Sequence, residues 1–216
     1  MPLALKRIKL LIYVAMIIFS AFLMLRITIP YFSFRYDIDF LLTKQSVLHI
    51  APWRWAFYTH ITCSIFVLIL GGLQFISFIL KNYPRVHRAL GKWYIVLVLF
   101  LSAPSGLLMG FYANGGVVSK TSFVLLSVLW WLFTFLAYRK IKAGNIESHI
   151  NFMYRSYALT LSAITFRLYV LIIPHFIHLP AKEMYALIAW LSWVPDLLVA
   201  EVLIKFRAKW DPQQAR

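Results

Sequence analysis

Six histidines and a few arginines are the groups in this chain best suited to chemistry. His60, His87, His149, Arg155, Arg167 and Glu201 lie in or at the edge of apolar stretches long enough to cross a membrane. Ionisable groups are costly there, so each needs a partner or a task. His87 begins the third apolar stretch and His149 the fifth. Both stretches run in the same direction, so the two imidazoles are expected at nearly equal depth. Two imidazoles facing each other across a helix gap can ligate a haem iron, provided the macrocycle has room beside them. Gly91, one turn after His87, is the residue expected to supply that room. His60 belongs to the opposite end, and the stretch from Thr121 to Tyr138 has no histidine to pair with it.

The remaining charges divide into two cases. Arg155 and Glu201 fall at similar depths on the fifth and sixth stretches, where a charge-assisted pair offsets part of the cost of burial. Arg167 has no acidic residue expected near it, so its guanidinium is a candidate for an anionic ligand group such as a carboxylate or a haem propionate. Helical spacing also gathers polar and small residues into stripes: His60, Ser64, Gly71 and Gln74 on the second helix; His87, Gly91, Tyr94 and Ser105 on the third; His149, Met153, Ser156, Thr160 and Arg167 on the fifth. Helix packing explains the serines, threonines and glycines equally well, because small and hydroxyl residues let membrane helices approach. It explains the histidines and arginines less well.

These residues must be held by membrane helices. Of 216 residues, 62% are hydrophobic and 13% charged, against roughly 45–50% and 25% in soluble domains. Mean hydropathy is +0.77. Six spans are expected, at about 9–29, 55–80, 92–112, 121–138, 151–173 and 184–204, in one integral domain over residues 1–216. The runs are continuous rather than alternating, which excludes a β-barrel and gives an all-α polytopic bundle. The first span follows Lys6, Arg7 and Lys9 and ends without a small-residue cleavage site, so it is expected to be a retained helix rather than a signal peptide.

The net charge of +15 would suit nucleic acid if it were clustered on a soluble face. Instead, fourteen Lys/Arg lie before the first span, between the second and third, between the fourth and fifth, and after the sixth, against five in the intervening segments. That asymmetry places both termini in the cytoplasm and argues against a nucleic-acid partner. The 30–54 connection, rich in Tyr, Phe and Trp, is expected to lie on the interface, with Trp53 and Trp55 as an aromatic belt. Asn114-Gly115-Gly116 marks a tight turn. The single cysteine, Cys63, cannot form an intrachain disulfide. Zinc-type sites fit poorly, since few carboxylates accompany the histidines, and no serine has the setting of a nucleophile.

Particular strings resemble a bacterial family of multi-spanning membrane proteins classed as a domain of unknown function. They are Gln74-Phe75; His87-Arg88 with Gly91 and Tyr94; Gly115-Gly116; His149 with Met153; Arg155-Ser156-Tyr157-Ala158-Leu159-Thr160; and Thr165-Phe166-Arg167. Ala189-Trp190-Leu191, Trp193-Val194-Pro195 and Glu201 extend the likeness over roughly residues 55–205. Asp196 stands where that pattern has an amide. The family's layout is similar to that of di-haem transmembrane b-type cytochromes, with His87 and His149 matching the inner pair and His60 lacking its counterpart.

Two expectations follow for the bacterial inner membrane. One is an electron-transfer protein with a single haem b on His87 and His149, exchanging electrons with quinone or another redox partner. The other is a small-molecule or lipid-binding or transport protein whose cavity is lined by His60, Gln74, Tyr94 and Arg167. A plainer alternative is an accessory subunit without chemistry of its own. In each case the constant partner is the lipid bilayer.

Overall fold

A computed structural model describes residues 3–210. It contains six helices of membrane-crossing length and apolarity, and no strand among the described residues. The first helix is Leu3–Thr28, the second Ala51–Gln74, the fourth Gly116–Lys142 and the fifth Ile146–Ile172. The third spans Pro84–Phe111, with a π-turn over Val98–Ser102. Pro104, which has no N–H to offer Phe100, follows that turn directly. The sixth helix is built from Ala181–Leu191 and Val194–Trp210, broken at Ser192–Trp193. Pro195, at the second position of the latter segment, cannot bond back to Leu191.

Several helices start earlier than apolar runs alone suggest. The third begins at Pro84 and the fourth continues to Lys142, because helix persists through charged turns that reach past the hydrocarbon. The second ends sooner: it stops at Gln74 rather than residue 80. Ile76 is extended and a separate short helix, Ser77–Asn82, follows. Pro84 disfavours helix at Tyr83, so the chain turns along the membrane face before re-entering.

The second, third, fourth and fifth helices form a ring in which sequence neighbours pack together and the second closes on the fifth. The third and fifth therefore face each other diagonally. The first helix packs on the second, and the sixth on the fourth and fifth. Fully buried Val67, Tyr94, Val98 and Ala137, with Met153, Tyr157 and Trp193, make the main core.

Within that apolar core runs a connected set of hydroxyls. Tyr94 Oη lies 2.7 Å from Ser156 Oγ and 3.0 Å from Thr160 Oγ1. Ser156 is 2.7 Å from Thr134 Oγ1, and the Trp130 indole donates to Thr160 Oγ1 at 3.1 Å. Three helices are thereby tied by groups whose mutual satisfaction removes the cost of burying them. The sixth helix docks similarly, with Trp193 Nε1 donating to Ser122 Oγ at 2.9 Å and Ser122 donating to the Ala189 carbonyl.

The 34–50 connection folds back over one end of the ring. Tyr31, Leu41, Leu48, Trp53 and Phe57 form a second core beneath it, with the Trp53 and Phe57 rings stacked at 5.6 Å. This corrects the belt reading for Trp53, which is only 1% exposed; the returning loop covers it. Trp55, at 76% exposed, keeps a lipid- or water-facing position. Lys44 clasps the loop to the turn between the third and fourth helices. Its Nζ donates to the Tyr112 carbonyl at 2.6 Å and to Asn114 Oδ1 at 2.7 Å. Gly115 and Gly116 follow at φ +82° and +78°, conformations that exact a steric cost from any side chain.

Candidate functional site

The ring holds histidines at both ends, and the two ends differ. Near the chain termini, His87 and His149 occupy the first turns of the third and fifth helices. The His149 Nδ1–H donates to the Ala137 carbonyl at 2.9 Å, which fixes the ring and leaves Nε2 as its acceptor. His87 Nδ1 is buried with no hydrogen-bond partner in the protein. The donor chemistry of two imidazoles on diagonal helices therefore fits a bis-histidine iron. The space beside them is taken, however: a Cβ added at Gly91 would stand 3.0 Å from Gln74 Oε1. Gln74 Nε2 also lies 3.4 Å from the His87 carbonyl, to which it donates. A turn deeper the core is closed by Tyr94 and Tyr157, which approach within 2.7 Å of a Cβ built at Gly71.

At the other end, beneath the 34–50 loop, lies a cavity of about 190 Å³. His60, Ser64, Trp53, Arg167 and Lys44 belong to its polar lining, together with Ser127, Thr160, Ser162, Tyr185 and Ser192, and Met109, Phe123, Leu126, Leu159 and Phe166 supply much of the apolar wall. The cavity exceeds the ~150 Å³ that accommodates a benzene ring in an apolar core. The His60 Nδ1–H donates to the Ser102 carbonyl at 2.9 Å. That carbonyl belongs to the π-turn, and a second carbonyl of the turn, Leu99, accepts from Trp131 Nε1 at 3.1 Å. The widened turn thus presents backbone acceptors to both neighbouring helices, and it sets His60 with Nε2 as its remaining polar atom. Gly106 leaves room for the imidazole, since a Cβ there would meet the ring at 3.0 Å.

Arg167 is the group least accounted for by the protein. Its Nη1 donates to the Ala163 carbonyl of its own helix at 2.7 Å. Among the described residues the ion pairs are Arg35–Asp37 and Arg155–Glu201, so no carboxylate neutralises Arg167. Asp196, on the sixth helix, accepts from Thr165 Oγ1 at 2.8 Å. Two further cavity-lining residues carry buried polar atoms without a protein partner: Trp53 Nε1 and Ser64 Oγ. Arg167, Trp53 and Ser64 all bring donors to one cavity. Lys44 adds positive charge at its roof, and burial, with Lys120 nearby, lowers its ammonium pKa to about 8.

The residues singled out in the sequence are thus divided among four places. His60 and Arg167 share the cavity; Gln74 and Tyr94 do not line it. Gln74 sits beside Gly91 and His87, and Tyr94 is fully buried in the hydroxyl network. Arg155 and Glu201 form a two-pronged pair, with Nε to Oε1 at 2.5 Å and Nη2 to Oε2 at 2.9 Å. Lys44 and Trp53 enter the site without having been singled out for it, because a polar loop returns them to the bundle. Among the described residues no cluster of three or more His, Cys, Asp or Glu could hold a metal ion.

Searches among curated proteins and solved structures gave no match. The model of one family matches residues 57–204, from the second helix through most of the sixth and including both histidine ends. The chain belongs to that family, described as predicted membrane protein (DUF2306).

Proposed function

We propose that this membrane protein binds a single-chain amphipathic anion, a carboxylate on an apolar tail, with its head in the cavity formed by Arg167, His60, Trp53 and Ser64. The observation that carries the reading is the Arg167 guanidinium, turned to a cavity and without a carboxylate from the protein. An arginine at membrane depth needs a counter-charge. A carboxylate accepts from its fork and from the Trp53 and Ser64 donors, and the apolar wall suits the first carbons of the tail. The charge asymmetry supports insertion in a bacterial inner membrane with the chain ends cytoplasmic, which puts this cavity toward the outer face.

Palmitate added to purified protein should raise its thermal midpoint in a concentration-dependent way, as any ligand of the folded state does. Arg167→Gln removes a charged hydrogen-bond donor and should weaken the effect by about tenfold or more. Equal stabilisation of the wild type and the variant would sink the reading.

A second reading has one observation in its favour, the buried and unpartnered His87 Nδ1 opposite an anchored His149. In it, His87 and His149 hold one haem b, Gln74 gives way beside Gly91, and the haem supplies one-electron chemistry for exchange with quinone or another redox partner. Protein expressed with added haem should then show a Soret band and sharp reduced bands that His87→Ala and His149→Ala each abolish. His60→Ala should spare them. Colourless protein after haem supplementation ends this reading without touching the first.

A further inference from the structure

A cavity of about 190 Å³ falls below the roughly 300–1,000 Å³ of sites that enclose a whole drug-sized ligand. It can take a head and a few carbons; a longer tail must leave it. Beside it, between the ends of the fifth and sixth helices, lies a crevice of about 390 Å³ lined by Val170, Pro174, Ile177, Met184, Tyr185 and Ile188. Its lining is predominantly apolar, and Val170 and Ile177 are each 44% exposed at its mouth. Tyr185 lines both spaces.

From this shared wall we infer that the crevice takes the tail of the amphiphile whose head sits at Arg167, and that Tyr185 is the side chain the ligand passes on entering sideways from the bilayer. The inference rests on the head-group reading above. Three features suit Tyr185 to the role. Its ring meets Phe166 edge-on at 5.8 Å and Phe123 at 6.0 Å, so it closes the cavity with aromatic contacts rather than a polar lock. On its other side it abuts Gly115, where a Cβ would come within 2.9 Å of the ring. Its hydroxyl makes no hydrogen bond to the protein among the described residues, which leaves that group available to a passing or bound carboxylate. The crevice mouth lies where the two membrane-length helices end, with Val170 inside the fifth span and Ile177 in the connection beyond it, so an acyl chain of the adjoining leaflet reaches it from the side.

The test uses two photoreactive palmitates, one with a diazirine beside the carboxyl group and one with it near the methyl end, on the full chain in lipid nanodiscs. Labelled peptides are mapped by mass spectrometry. The carboxyl-end probe is expected to label cavity residues and the methyl-end probe the 170–188 crevice, both displaced by unlabelled palmitate. Arg167→Gln should reduce both by about tenfold. Val170→Trp, which fills the crevice from an exposed position, should drive the methyl-end label out of it. Ile177→Trp provides the same block should the first variant fold poorly. If the carboxyl-end probe labels the cavity in an Arg167-dependent way while the methyl-end probe labels lipid-facing residues at random, the crevice inference is overturned and the head site stands. If neither label depends on Arg167, both fall.

Discussion

Replacing Glu201 in the Arg155–Glu201 pair tests how this fold carries charge inside a membrane. Arg155 lies nine residues into the fifth helix and Glu201 six before Arg207, the end of the sixth span. At 1.5 Å per residue that places them about 13 Å and 9 Å from the helix ends, within the hydrocarbon. Their side chains retain 22% and 37% exposure. Breaking a fully buried pair costs about 3–5 kcal/mol and an exposed one about 0–1. The intermediate burial here gives about 2–3 kcal/mol for Glu201→Leu or Arg155→Leu alone. The Arg155 guanidinium also faces Phe152 at 5.2 Å and Phe133 at 6.0 Å, which adds about 0.5–1 kcal/mol to the arginine change. The double replacement leaves no orphaned charge and should cost about 2 kcal/mol less than the sum of the two single changes. For a chain of this size, 1 kcal/mol shifts the midpoint by roughly 2–4 °C, so Glu201→Leu should unfold about 4–12 °C lower in detergent and Arg155→Leu about 5–16 °C lower. Additive losses in the double-mutant cycle would refute the argument that these residues stabilise each other.

Further perturbations address packing, protonation and topology. Gly71→Ala should lower the thermal midpoint by several degrees, because the new methyl would sit 2.5 Å from the Tyr157 ring and 2.7 Å from Tyr94; an unchanged midpoint would mean that these rings can yield. For Lys44, the folded protein releases its proton near 8 and the unfolded chain near 10.5. The unfolded state therefore binds more protons across that window, and stability should rise with pH there by an amount absent in Lys44→Met, as read from chemical unfolding at pH 7.5 to 10. Reporter fusions after residue 142 should read cytoplasmic and one after residue 116 external; the reverse pattern would contradict the charge-based orientation.

The spans were legible because hydrophobic length is a direct physical requirement of a bilayer, and the Arg155–Glu201 pair because depth along two helices is simple arithmetic. The end of the second helix was not. Phe75, Ile76, Phe78, Ile79 and Leu80 continue the apolar run, yet the helix stops at Gln74, Ile76 turns extended and a separate short helix follows, so nothing in the hydropathy marks the break. The interruption of the sixth helix at Ser192–Trp193 was similarly hidden in an apolar sequence, although Pro195 marks its cause.

In the candidate site, His60 and Arg167 stood out as ionisable groups in apolar surroundings. Their sharing of one cavity depends on how the ring closes, which helical spacing alone does not state. Gln74 and Tyr94 share helical stripes with candidate residues yet face the packed half of the bundle. There Gln74 occupies the space beside Gly91 and Tyr94 anchors the hydroxyl network. Lys44 carries no local signal of burial, since its neighbours Thr43, Gln45 and Ser46 read as a polar loop. Only the return of that loop onto Tyr112 and Asn114 makes it part of the site.

The most direct measurement is native mass spectrometry of the protein released from its own membranes into detergent, with the bound species identified by fragmentation. A single-chain carboxylate retained by the wild type and absent from Arg167→Gln is the predicted result. A wild type that carries no such molecule, or an Arg167→Gln variant that carries it equally, would contradict the assignment of Arg167 as the receptor for an anionic head.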